Sequence, residues 1–131
     1  MSARILVVDD DAVACEFLQE ALLRDGYHVE AFTSVSEALD RNLNDYDLLM
    51  SDIRMPDMDG LEFLKIVQAR YPLLPVVLMT AYGSLETTMD ALSMGAWDYI
   101  SKPFSPDDCR ALVKKVLELR DLRNNRTVLQ P

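Results

Sequence analysis

The chain has 131 residues, half of them hydrophobic, with 13 basic and 22 acidic side chains and a net charge of −9. That length fits one domain able to bury roughly 68–70% of its unfolded surface, and that charge argues against binding of nucleic acid or anionic membrane by the domain as a whole. No apolar run approaches the roughly 20 residues of a membrane-spanning helix and the N-terminus lacks signal-peptide character, so a soluble cytoplasmic protein is expected.

The charge is unevenly spread. Arg110 to Arg126 holds six basic and two acidic residues, leaving seven basic and twenty acidic elsewhere. The two cysteines, Cys15 and Cys109, are too few and too far apart for a disulfide scaffold or a zinc site. Both fall in helical apolar patterns and read as reduced thiols at or near the core.

In chain order, Arg4 to Asp9 is a short β-branched apolar run that ends in carboxylates, as expected of a buried strand. Ala14, Phe17, Leu18, Ala21 and Leu22 recur at helical spacing, and Gly26 supplies the stop. Tyr27 to Phe32 is a second strand, on which His28 reads as an edge-strand side chain. Ser34 and Glu37 have capping-box spacing and open a short helix through about Leu43. Asp47 to Asp52 is a third strand, followed by the turn-rich IRMPDMDG. The next helix is expected to bury Leu61, Leu64, Ile66 and Val67.

Pro75 to Thr80 is a fourth buried run, and Ser84 caps a helix ending at Gly95. Trp97 to Ser101 is a fifth strand, with Met94 and Trp97 in the core. Ser105, Pro106 and Asp108 then combine an N-cap, a first-turn proline and a capping acid. The helix they start presents Cys109, Leu112, Val113, Val116 and Leu117 on one face. Residues 1–120 form the expected domain, and Asp121 to Pro131 a helical extension or the start of a linker to an absent output domain.

Five strands therefore alternate with five helices. Continuous rather than alternating apolar strands imply a sheet covered on both faces, hence a parallel one. The expected fold is a doubly wound, flavodoxin-like α/β sandwich with strand order 2-1-3-4-5, whose sites lie at the carboxyl ends of the strands. Those ends deliver Asp9 and Asp10, Asp52, Thr80 and Lys102 to one crevice.

Three carboxylates with one lysine make a hard-oxygen site suited to Mg²⁺, which favours one or two carboxylates, water and a phosphate oxygen. One carboxylate can then act as a nucleophile on phosphorus and form an acyl phosphate. Lys102 can pair with the phosphoryl charge, and Thr80 can donate a hydrogen bond to it.

VVDDD (Val7 to Asp11), SDIRMPDMDG (Ser51 to Gly60), LMTAYG (Leu78 to Gly83) and GAWDYISKPF (Gly95 to Phe104), in that order, resemble the receiver domain of bacterial two-component response regulators. The resemblance covers nearly the whole chain. It implies that Asp52 is the phosphoacceptor and that Asp9 and Asp10 hold Mg²⁺, Asp10 directly and Asp9 through water. The backbone carbonyl of Arg54 is implied as a further ligand, Thr80 and Lys102 as the phosphate-contacting pair, and small Ala81 as the residue leaving phosphate access. Lys102-Pro103 matches a cis peptide, and Tyr99 an aromatic whose rotation follows the Thr80 hydroxyl. Arg54 and Tyr82 fall at positions that tune phosphoryl lifetime. Asp57 and Asp59, in a loop bearing Pro and Gly, read as turn and cap residues, and Asp11 as the cap of the first helix.

The implied partner is a sensor histidine kinase, with output through the face of the fourth helix, fifth strand and fifth helix. Neither nucleic-acid binding by this domain nor a membrane is implied. LELRDLRNNRTVLQ resembles the segment joining receiver to ATPase in NtrC-like transcriptional activators, and Leu112, Val116 and Leu119 have a spacing that could seed a homodimer contact. Only weak self-phosphorylation and self-dephosphorylation are implied, not metabolic enzyme activity. One alternative is a stand-alone phosphorelay receiver; another is a Mg²⁺-dependent phosphohydrolase, opposed by the lone nucleophile on the third strand and by a length that leaves no room for a substrate cap. A phosphate-independent interaction module is opposed by the complete set of Asp, Thr and Lys residues.

Overall fold

The computed structural model describes residues 2–55, 58–80 and 85–129. Its elements run β1 (Arg4–Val8), α1 (Ala12–Leu23), β2 (His28–Phe32), α2 (Val35–Leu39), a 3₁₀ turn (Leu43–Asp45), β3 (Leu48–Asp52), α3 (Gly60–Arg70), β4 (Val76–Thr80), α4 (Leu85–Ser93), β5 (Asp98–Ser101) and α5 (Pro106–Leu129). All neighbouring strands pair in parallel in the order β2-β1-β3-β4-β5, as expected from the continuous apolar runs.

Alternate residues of each central strand serve opposite layers. Leu6, Val8, Leu49, Val76 and Leu78 pack with Val35 and Ala38 of α2, Phe63, Leu64 and Val67 of α3, and Ala91 of α4. Ile5, Val7, Leu48, Met50, Val77 and Met79 pack with Cys15, Leu18 and Leu22 of α1 and with Cys109, Val113 and Val116 of α5. Both cysteines are buried free thiols, and burial pushes Cys109 up to about 12, consistent with inert core residues. His28 is exposed on the edge strand β2.

Local chemistry sets the helix starts. Asp11, Ser34 and Asp59 each accept a backbone N–H near the start of α1, α2 and α3. Ser105 and Asp108 complete a reciprocal capping box at α5: Asp108 N donates to Ser105 Oγ at 3.0 Å and Ser105 N to Asp108 Oδ2 at 3.3 Å. Ser84 lies outside the described residues.

Several expectations need correction. The second, third, fourth and fifth strands each begin one residue later than the apolar runs suggest. α2 stops at Leu39 rather than near Leu43, because Asn42 accepts from Asn44 N and starts the separate 3₁₀ turn. In α3 it is Phe63 that is buried, with Leu64 and Val67, whereas Leu61 and Ile66 are half-buried at the edge of that face. Trp97 and Met94 are half-buried against the two cores rather than inside them. Of the stripe Leu112, Val116 and Leu119, Val116 is buried, Leu112 packs against the same core and Leu119 is exposed. Apart from these corrections, α5 spans Pro106–Leu129 as one helix.

Gly60 shows how closely the site loop is packed. A Cβ there would lie 2.5 Å from both the Cα and the carbonyl oxygen of Ile53, and 2.8 Å from the Asp52 carbonyl oxygen. The absence of a side chain lets the start of α3 close against the end of β3, where Gly60 N donates to Ile53 O at 2.7 Å.

Candidate functional site

The carboxyl ends of β1, β3 and β5 meet over Lys102. Its Nζ donates to Asp9 Oδ2 at 2.7 Å and to Asp52 Oδ2 at 3.3 Å. Asp9 is fully buried (0% exposed), Asp52 is half-buried and Asp10 is exposed. Asp9 Oδ1 accepts from Asp11 N at 2.9 Å, so the buried carboxylate is served on both oxygens. Asp52 Oδ1 accepts from Arg54 N at 3.4 Å, which ties the β3–α3 loop to the site.

Each side chain reaches the crevice because its strand ends there. Asp52 is the last residue of β3, and Asp9 and Asp10 follow the last residue of β1. Lys102 follows β5, and its backbone N–H donates to Thr80 O at 2.7 Å. The Lys102-Pro103 peptide is cis. Thr80 closes β4 and is 2% exposed, with its hydroxyl 3.5 Å from Ile100 O and 3.4 Å from Ser101 Oγ. Its resting hydrogen bonds thus face β5. Tyr99 is 38% exposed on β5. Ala81, Tyr82 and Asp57 lie outside the described residues, and Asp59 caps α3 and is not a member of the Asp9, Asp10 and Asp52 cluster.

The electrostatics are those of crowded charge. Burial raises Asp52 above the usual carboxylate range; the Lys102 charge opposes this and the Asp9 charge reinforces it. For Lys102, burial acts downward, but the hydrogen bond and charge of Asp9 and the charge of Asp52 outweigh it, so the ammonium is held above its ordinary value. One oxygen from each of Asp9, Asp10 and Asp52 lies within 4.8 Å of the others. Three such oxygens, from residues of which two pair with Lys102, fit a hard divalent cation, which would relieve the excess of carboxylates.

Beside this crevice an open, largely apolar cleft of about 470 Å³ is lined by Asp9, Val13, Phe17, Lys102, Pro103 and Phe104. Phe17 and Phe104 meet edge to face with centroids 5.9 Å apart. Helical spacing groups Phe17 with Leu18 and Leu22, which are buried. The structure instead turns it toward this opening, which pairs it with a residue far away along the chain.

A family model for the response regulator receiver domain matches residues 5–114. The chain is 40% identical over 131 residues to the DNA-binding transcriptional regulator NtrC of Proteus hauseri, covering 96% of this chain and 28% of that protein. It is 44% identical over 114 residues to the transcriptional regulatory protein ZraR of Escherichia coli (strain K12), covering 86% of this chain and 26% of that one. It thus spans little more than a quarter of either relative. The crystal structure of NtrX from Brucella abortus superposes with a TM-score of 0.94 at 30% identity, covering 99% of this chain and 30% of that one. The strand order, the carboxylates gathered at the strand ends and a match over most of the length agree, and the chain belongs to the response regulator receiver domain family.

Proposed function

We propose that the domain is a phosphorylation-controlled signalling switch with Asp52 as its phosphoacceptor. The observation that carries this is the bridge from Lys102 to both Asp52 and the buried Asp9, at the one point where β1, β3 and β5 converge. In this reading a carboxylate oxygen of Asp52 attacks the phosphorus of a phosphohistidine on a partner kinase. The P–N bond breaks, the imidazole leaves with the electron pair, and an acyl phosphate remains on Asp52.

Lys102 is positioned to pair with the transferred group's oxygens. Thr80, by exchanging its contacts on β5 for a phosphoryl oxygen, would draw β4 toward the site. Ala81 would leave room for that oxygen, and Tyr99 would follow the vacated space. Asp9, Asp10, Asp52 and the Arg54 carbonyl are the groups proposed to hold Mg²⁺, Asp9 through water. When bound, the ion would offset negative charge between carboxylates and phosphate. The added charge of about −1.5 to −2 at neutral pH would then bias α4, β5 and α5 toward a second arrangement.

The apolar cleft by Phe17 and Phe104, adjoining Asp9 and Lys102, offers the sensor histidine kinase a surface beside the transferring group. Output would pass through the α4–β5–α5 face to a further domain or downstream protein, with transcription as the regulated process, as in the names of the NtrC and ZraR relatives. A homodimer is compatible with such an output. A cytoplasmic location fits this role; among the described residues no helix is long and apolar enough to cross a membrane. Chemistry on the domain itself would be limited to slow gain and loss of its own phosphoryl group.

Incubation with acetyl phosphate and Mg²⁺, followed by intact mass, tests the proposal. Wild type is expected to gain one phosphoryl group, and Asp52→Asn or EDTA-treated protein none. Equal gain by Asp52→Asn, or none by wild type, would sink it, and rapid turnover of varied phosphoesters would favour a hydrolase instead.

A further inference from the structure

α5 leaves the body of the domain tied to the sheet at several points, and two of them lie at the start of β5. Arg120 Nη1 donates to Asp47 Oδ1 at 2.5 Å and to Asp47 O at 3.4 Å. Asp47 is itself stitched into the sheet: its Oδ2 accepts from Arg4 N at 2.7 Å, and its own N–H donates to Arg4 O at 2.7 Å. Three residues further along α5, the Arg123 guanidinium stacks over the Trp97 ring at 4.3 Å. Two turns earlier, Lys115 Nζ pairs with Asp98 Oδ2 at 3.3 Å.

Trp97 and Asp98 begin the segment that ends in Lys102. Lys102 lies four residue steps beyond Asp98, at about 3.3 Å each. β5 is held straight by its parallel pairing with β4, from Val77 opposite Asp98 to Thr80 opposite Ser101. One stiff strand therefore carries the lysine of the site at one end and the anchors of the outgoing helix at the other.

We infer that β5 and the end of α5 form one lever, so that a change of load on Lys102 reaches the helix beyond Arg120 through the Lys115–Asp98 pair and the Arg123–Trp97 stack. The inference rests on Asp52 being the phosphoacceptor. At rest Lys102 lies closer to Asp9 than to Asp52. A phosphoryl group on Asp52 draws the lysine the other way and pulls on the end of β5. Arg120 acts as the fulcrum, because its partner Asp47 lies between β1 and β3 and not on the moving strand. Arg123, exposed on α5 and stacked on Trp97, is a positioning residue.

Trp97 is the only tryptophan in the chain, so its emission reads the stack directly. Loss of one cation–π contact at a partly exposed position is expected to speed local amide exchange about threefold to fivefold. In wild type, acetyl phosphate with Mg²⁺, compared with Mg²⁺ alone, should change both Trp97 emission and the amide exchange of residues 119–124, in step with phosphoryl gain by intact mass. Arg123→Gln should gain phosphoryl equally, exchange faster at those amides at rest, and lose the response. Full phosphorylation of wild type without a change in emission or exchange overturns the lever while leaving the phosphoacceptor assignment intact. So does a full response in Arg123→Gln. A wild type that gains no phosphoryl overturns the assignment, and the lever with it.

Discussion

Lys102→Met tests whether the site is held by its charge pairing. The substitution keeps an unbranched apolar stem and removes the ammonium that faces Asp9 at 2.7 Å and Asp52 at 3.3 Å. Breaking a fully buried pair by deleting one partner costs about 3–5 kcal/mol, because an unpaired charge is left behind. An exposed pair is worth about 0–1 kcal/mol. Here Asp9 is fully buried but Lys102 is 30% exposed, and Asp9 keeps its bond from Asp11 N, so the expected loss falls between, at about 2–3 kcal/mol. For a domain of this size that lowers Tm by roughly 8–12 °C.

Urea titration and a thermal scan in metal-free buffer at pH 7 measure it. Asp9→Asn combined with Lys102→Met removes both sides of the main pair and should recover part of the loss. A single variant within about 0.5 kcal/mol of wild type, or a double variant less stable than the single one, would refute the pairing argument.

Two further outcomes follow from the same geometry. Asp52 is raised above its ordinary value chiefly by burial, so its carboxyl favours the fold below the unfolded pKa and that contribution is lost as pH rises through the folded pKa. Asp52→Asn should therefore be more stable than wild type at pH 7, with the gap closing below about pH 4, as read from urea midpoints at both pH values; an equal gap at both would contradict it. Gly60→Ala, which forces a methyl group to within 2.5 Å of the Ile53 backbone, should cost about 2 kcal/mol or more; a urea midpoint like that of wild type would show that the α3 start can move aside.

The amino-acid sequence alone determined much of this domain, because the relevant physics is local. Continuous apolar runs between turn residues specify strands buried on both faces, and the caps at Asp11, Ser34, Asp59 and Ser105 need partners only two or three residues away. Asp9, Asp10, Asp52, Thr80 and Lys102 were legible as strand-end residues for the same reason. Within the DDD triplet, the split of Asp11 from its neighbours followed from helix-start chemistry.

What remained was decided by contacts between residues far apart in the chain. The pairing of the buried Asp9 depends on Lys102 arriving across 93 residues. Periodicity favoured Ile66 over Phe63 in α3 because it counts apolar positions without knowing which side of the helix the sheet will cover. Phe17 shares its helical spacing with the buried Leu18 and Leu22, yet the fold brings Phe104 opposite it at the cleft mouth. The tie from Arg120 to Asp47 spans 73 residues, and neither residue carries a local signal for the other. Hydrophobic pattern and capping act within a turn or a strand and can be read along the chain. Ion pairs, ring contacts and the exit of α5 exist only once the sheet has brought distant segments together.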